Sequence, residues 1–232
     1  MFSWMTDYSD LVTDNWQGYA DGLWITVQLM VISTVAGFLL AIPLALARVS
    51  STPFFAWPAF AYSAAFRGTP LLVQIFLFYY GLPQFDAVRD SIFWPFLRDA
   101  VPCALVVLSF NLAAYFAEVL RGGIMAVPEG EKEAARSLGM TPALTYRRII
   151  MPRAIGIMLP SLSNEVVQQL KGTALVSTIT VLDMTGVARR LTAQSYTSEP
   201  LILAGILYII LTYLVSRLFK IFERHLNAYQ IR

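Results

Sequence analysis

The chain has 232 residues, 57% of them hydrophobic and 14% charged, with a formal net charge of +2 and a mean hydropathy of +0.60. That balance excludes an ordinary soluble domain and predicts an all-α protein integral to a membrane. The small net charge argues against a nucleic-acid partner, and the single cysteine, Cys103, excludes an intramolecular disulfide.

Residues 1–21 carry Asp7, Asp10, Asp14 and Asp21 and no Lys or Arg, unlike the basic opening of a signal peptide. They read as an acidic tail, with Trp4, Trp16 and Trp24 suited to a membrane–water interface. Apolar runs then predict five membrane spans, at about 23–47, 56–80, 100–120, 155–170 and 201–219. Most reach the roughly 20 residues needed to cross the hydrocarbon core. The fourth is short and must borrow flanking residues. Segment 81–99 mixes aromatics, Trp94 among them, with charges and proline. It reads as a surface or re-entrant helix on which an outer partner could land. Trp57 fits either an interfacial or a core position. Cys103 sits in an apolar run as an inert buried thiol. The lone histidine, His225, falls in the terminal tail, 223–232, and is expected to be solvated.

Basic residues orient the spans. With the N-terminus outside, the inner segments hold eleven Lys or Arg, six of them between Arg121 and Arg153, and the outer segments hold five. The positive-inside rule therefore places the N-terminal tail in the periplasm. The loop 121–153 and the tail 223–232 fall in the cytoplasm, and the membrane-embedded body spans 22–222. Arg217, Lys220 and Arg224 suit an anionic inner leaflet.

The loop RGGIMAVPEGEKEAARSLGMTPALTYRRIIMPR, 121–153, carries helix punctuation. Pro128 suits a first helical turn, and Glu129, Glu131 and Glu133 favour the positive end of a helix dipole. Gly139 can take the left-handed conformation that ends a helix, and Thr141-Pro142 can cap and open another. Two short helices joined at a glycine make a knob, either a docking element or a plain surface hairpin.

Polar groups at membrane depth face a partner or an aqueous cavity, and four places carry them. Arg67, Gly68 and Pro70 break the second span, marking a gate or a simple kink with Arg67 snorkelling. Asn111, Tyr115 and Glu118 share one helix face, with Glu118 also placed to pair with Arg121. Glu165, Gln168 and Gln169 stand at i, i+3 and i+4, a stripe for a cationic ligand or for pairing across helices. Lys171-Gly172 opens a run of small and hydroxylated residues, which suits a broken helix at a gate.

FRGTPLLVQIFLFYYG (66–81), LSFNLAAYFAEVLRGGI (108–124), VPEGEKEAARSLG (127–139) and SNEVVQQLKGTALVSTIT (163–180) together resemble the polar amino acid permeases of bacterial ATP-binding-cassette importers. The likeness runs from about residue 20 to the C-terminus. It extends to M-type permeases of histidine/lysine/arginine/ornithine importers and to opine-importer permeases. Gly130-Glu131 departs from the Gly-Gln of many relatives and leaves the loop assignment intact. The resemblance implies a type I importer permease fold in the inner membrane. It implies a second permease, identical or homologous, two ATPase subunits that bind ATP and Mg²⁺, and a periplasmic amino-acid-binding protein. It makes Glu133, Ala134, Ala135, Leu138 and Gly139 the ATPase-coupling residues. For the substrate path it suggests Glu165, Glu118, Gln168, Gln169 and Asn111, with a cationic amino acid or opine as cargo.

The chain itself is expected to bind no cofactor or metal and to catalyse no bond chemistry. It lacks G-x-x-x-x-G-K-[ST], and one histidine and one cysteine make no zinc site or Cys-His pair. The alternative is a secondary amino acid transporter driven by an ion gradient, which predicts inverted repeats that the halves do not display. A membrane scaffold fits the composition but explains neither the stripe nor the broken span.

Overall fold

A computed structural model describes residues 3–227, with side chains for residues 15–224. The side chains of Trp4, Asp7, Asp10, Asp14, His225 and Arg232 lie outside the described residues. All regular structure among the described residues is helical.

Helix α1 runs Ser3–Val49 without interruption, so the acidic segment continues the first span as helix. At 1.5 Å per residue it is about 70 Å long and overruns the hydrocarbon core. The expected second span is two helices, α2 (Pro53–Gly68) and α3 (Leu71–Gln84), separated by Thr69 and Pro70. Two single turns, Asp86–Arg89 and Trp94–Leu97, fold segment 81–99 into a surface element beside the start of α4 (Ala100–Met125). Trp57 is 71% exposed, which removes the core reading of that residue.

Beyond α4 lies the short helix α5 (Glu129–Ser137). A turn at Pro142–Thr145 and a π-helical turn at Tyr146–Ile150 then lead into α6 (Met151–Thr173). The fourth span thus gains its missing length at both ends. Helix α6 passes through Lys171 and Gly172 unbroken, contrary to the expected interruption there. Past Thr173 it tightens into a 3-10 stretch, Ala174–Ile179, ended by Thr180 at φ 70°. Helix α7 (Met184–Ser195) was not foreseen, and α8 (Glu199–Asn227) closes the chain.

Helix α4 is the hub. Two-thirds of its most apolar stretch is buried, 67% against 33% for α1 and 6% for α8. Leu112, Phe116 and Ala117 pack with Met30, Ala41 and Ala45 of α1 and with Met158, Leu162 and Val166 of α6. Nearer its start, Cys103, Val107 and Leu108 meet Leu29, Ile75, Val176 and Ile179. The Cys103 thiol is buried and free. A helix apolar all round must be wrapped by other helices or by lipid, and within this chain α8 is the one least covered. Its Ile202, Ile206, Ile209, Tyr213 and Leu218 stay exposed.

The start of α7 is pinned by Asp183, fully buried. Its carboxylate accepts the N–H groups of Gly186 (3.0 Å) and Thr185 (3.3 Å), and the Tyr208 hydroxyl donates to it at 3.0 Å. The Met184 N–H donates to Thr26 Oγ1 of α1 at 3.1 Å. Gly186 is obligatory, because a Cβ would stand 2.3 Å from the Val181 carbonyl oxygen. Burial pushes the Asp183 carboxyl up to about 6; asparagine keeps one accepting oxygen for the Gly186 N–H and is the mildest replacement. Asp183→Ala removes the cap and the acceptor of the Tyr208 hydroxyl, which keeps its bond from Thr185 Oγ1 at 3.2 Å. Thermal unfolding in detergent should register a loss of about 2 kcal/mol, with Asp183→Asn keeping most of it.

Candidate functional site

The break between α2 and α3 has a definite chemical cause. Pro70 has no N–H, so the Phe66 carbonyl loses its helical partner, and proline drives the preceding residue out of helical conformation. Thr69 accordingly sits at φ −116°, ψ 143°. The orphan carbonyls are satisfied by side chains. Gln74 Nε2 donates to the Phe66 carbonyl at 2.8 Å and to the Thr69 carbonyl at 3.0 Å. The Thr69 hydroxyl donates to Ala65 O at 2.8 Å. Asn111 Nδ2 on α4 holds Gln74 Oε1 at 2.9 Å. Gln74 is the residue missed in the sequence. Its signal was an amide in an otherwise apolar run, four residues after a proline.

Beside this junction lies a cavity of about 340 Å³, lined by Leu71, Asn111, Leu112, Tyr115, Glu165, Gln168 and Gln169. That is within the size of small-molecule pockets, about 300–1,000 Å³. Four of the five residues expected on the path therefore meet at one place. Within the cavity their duties differ. Gln169 is buried and braces three helices, donating to Ser33 Oγ of α1 at 2.8 Å and to the Leu108 carbonyl of α4 at 3.3 Å. Gln168 stands on the open side. The Glu165 carboxylate is half-buried and, among the described residues, accepts no hydrogen bond and joins no ion pair. Gly172, although helical, packs its Cα within reach of Leu71, where a Cβ would stand 3.0 Å from Cδ2.

Glu118 lies apart, one turn beyond Tyr115, and its charge is already spent. Arg121 donates to it through Nε at 3.0 Å and through Nη2, Arg48 through Nη2 at 3.3 Å, and Arg67 Nη1 stands at 3.8 Å. The Arg48 guanidinium also lies over the Phe60 ring, 4.8 Å from its centroid. Arg67 similarly covers Tyr115 at 5.6 Å.

The second element is the knob formed by α5. Its C-terminus closes by a Schellman motif, in which Met140 N–H donates to Ala135 O (3.1 Å) and Gly139 N–H to Arg136 O (2.9 Å). Gly139 sits at φ 71°, as its place in the sequence predicts. Pro128 stands just before the helix rather than in its first turn. Thr141 caps the next turn by accepting the Leu144 N–H at 3.4 Å, with Pro142 at its start. Ala135 is buried, whereas Glu133, Ala134 and Leu138 point outward, Leu138 at 80% exposure. Arg153 at the head of α6 pairs with Glu131 at 3.3 Å, tying the knob to a membrane helix. The hydrogen bond from Lys132 and the charge of Arg136 hold the Glu129 carboxyl below its usual range.

Gln74→Leu removes the short bonds to the Phe66 and Thr69 carbonyls and the Asn111 partner inside the bundle, leaving only the 3.4 Å bond from Asn111 Nδ2 to the Phe66 carbonyl. It should cost about 2 kcal/mol, read as a lower unfolding temperature of the detergent-solubilised protein, with Gln74→Met no better.

Comparison with known proteins gives a consistent picture. Residues 15–228 match the family described as binding-protein-dependent transport system inner membrane component. The octopine transport system permease protein OccM of Rhizobium radiobacter is 49% identical over 90% of this chain and 86% of its own length. The histidine/lysine/arginine/ornithine transport system permease protein HisM of Escherichia coli is 40% identical over 88% and 86%. The crystal structure of an amino acid ABC transporter with histidines superposes with a TM-score of 0.83 at 37% identity, covering 92% of this chain and 96% of that one.

Proposed function

The chain belongs to the family of binding-protein-dependent inner membrane transport components, the permease subunits of ATP-binding-cassette importers; from that premise we propose that it carries a cationic amino acid or an opine past Glu165. The ion-gradient alternative gives way to the family membership. The observation that carries the substrate reading is the Glu165 carboxylate, which lines a polar cavity between α4 and α6 with no cation paired to it among the described residues. A half-buried carboxylate without a partner is costly, and a cationic substrate would relieve that cost. Relatives named for octopine and for histidine, lysine, arginine and ornithine are in keeping with such a cargo.

In this reading Glu165 meets the positive group, Gln168 offers its amide from the open side, and Asn111 and Gln169 hold the walls. Glu118 serves as an anchor for arginines rather than as a wall of the path. Arg67, Gly68 and Pro70 make the hinge, and the Lys171–Gly172 segment abuts it. The N-terminus faces the periplasm, where a binding protein delivers substrate, and the knob faces the cytoplasm. There Glu133, Ala134 and Leu138 meet a partner ATPase that binds ATP and Mg²⁺, while Ala135 and Gly139 set the knob's shape. A second permease, identical or homologous, completes the pathway, and closure of the ATPase dimer drives the knob and so the helices attached to it.

Two measurements test these roles. Leu138→Glu changes an exposed side chain and leaves the fold intact. Copurification from native membranes should lose the ATPase subunit, and retention of a full complement would remove the docking assignment. Glu165→Gln should lower uptake of the transported cation by tenfold or more, about 1.4 kcal/mol, with the complex still assembled. Unchanged uptake of arginine, histidine and octopine would remove Glu165 from the path.

A further inference from the structure

Glu118 has more cations around it than one carboxylate can neutralise. Arg121 and Arg48 hold it at hydrogen-bonding distance, and Arg67 is the outlying partner at 3.8 Å. Arg67 is also the most accessible of the three, with its side chain 42% exposed against 18% for Arg48 and 27% for Arg121. Its guanidinium therefore keeps donors to spare. It sits on the ring of Tyr115, 5.6 Å from the centroid, and Tyr115 is a wall of the cavity that contains Glu165. Among the described residues, Arg67 and Glu165 form no ion pair with each other, so neither charge cancels the other.

The cavity thus has an unpaired carboxylate on α6, and against its Tyr115 wall lies Arg67 of α2, a cation with unused donors. A free carboxylate in a cavity of about 340 Å³ with an unspent guanidinium beside its wall suits a ligand that carries both charges. An α-amino acid is such a ligand. We propose that Arg67 binds the α-carboxylate of the transported amino acid, opposite the cationic group that Glu165 receives. The proposal rests on the reading of the cavity given above. A planar guanidinium can grip a carboxylate by two parallel N–H donors, which a lysine cannot. The hinge supports the role as well. Arg67 is the last residue before Gly68, so movement of α2 against α3 carries the guanidinium toward or away from the cavity.

The test uses the purified permease–ATPase complex in detergent without its periplasmic binding protein, so that binding reports on the membrane site. Radiolabelled arginine, histidine, lysine and ornithine are compared with their decarboxylated counterparts agmatine, histamine, cadaverine and putrescine. The wild-type complex should bind at least one amino acid about tenfold or more tightly than its amine, the scale of one charge-assisted pair. Arg67→Gln should erase that preference by weakening the acid and sparing the amine, and Arg67→Lys should fall between. Retained amine binding certifies that the variant is assembled. If Arg67→Gln fails to assemble, Arg67→Lys decides, and an unchanged acid-to-amine ratio in it overturns the proposal. Equal loss of acid and amine in Arg67→Gln, or loss of neither, overturns it too. Glu165→Gln separates the two claims. Intact amine binding in that variant defeats the Glu165 reading, while the ratio lost in Arg67→Gln still stands for the carboxylate. If the wild-type complex binds none of the four amino acids, both fail.

Discussion

The structure turns on a missing hydrogen-bond donor. Inside a bilayer every backbone carbonyl needs a partner within the protein, and Pro70 deprives Phe66 of its own. The Gln74 amide replaces that donor and is itself fixed by Asn111 of the central helix. This arrangement lets a membrane-spanning stretch stop, turn extended for two residues and start again without exposing bare peptide groups to lipid. It also leaves a junction held by side-chain rather than helical hydrogen bonds. Such bonds can be exchanged more readily than a continuous ladder, so the junction is a natural place for α2 and α3 to move against each other.

The charges around the junction are divided unequally. Glu118 is surrounded by Arg48, Arg67 and Arg121, whereas Glu165 has no paired cation among the described residues. Both are carboxylates on membrane-spanning helices, where an uncompensated charge is costly. One is compensated within the chain, which makes it architecture. The other has no such compensation among the described residues, which is the physical basis of the proposed substrate role. Arg67 belongs partly to both groups because it stands at the helix break between them.

The knob solves a different problem. In the proposed docking role the knob would have to be stiff, and α5 is braced at its C-terminus and tied to its neighbour. Its C-terminus is closed by the Schellman pair around Gly139, the following turn is capped by Thr141, and Arg153 ties it to α6 through Glu131. Among its outward residues, most of them polar, Ala134 and Leu138 are the apolar ones. An exposed leucine at the tip of a polar helix gains by being covered, whereas the buried Ala135 allows the helix to lie close to the turn beneath it.

Much of this was legible along the chain, because apolar runs, proline positions and a glycine at a helix end act locally. Membrane class, the break at Thr69-Pro70, the left-handed Gly139 and the polar positions at 111, 165, 168 and 169 all follow from residue type and spacing. What residue type could not decide was which polar group is spent and which is free. Gln169 and Glu165 are one turn apart, yet one is bound to Ser33, 136 residues away, and the other is unbound among the described residues. Gln74 reads as one amide in an apolar run until Phe66 and Asn111 are brought to it, and Asp183 reads as a loop residue until Tyr208 closes over it. The sequence by itself determined that this chain crosses the membrane and where its helices weaken, since those depend on nearest neighbours. Only the tertiary structure decided which carboxylate is an anchor and which is open, because a charge is satisfied by whatever lies within a few ångströms, however distant in the chain.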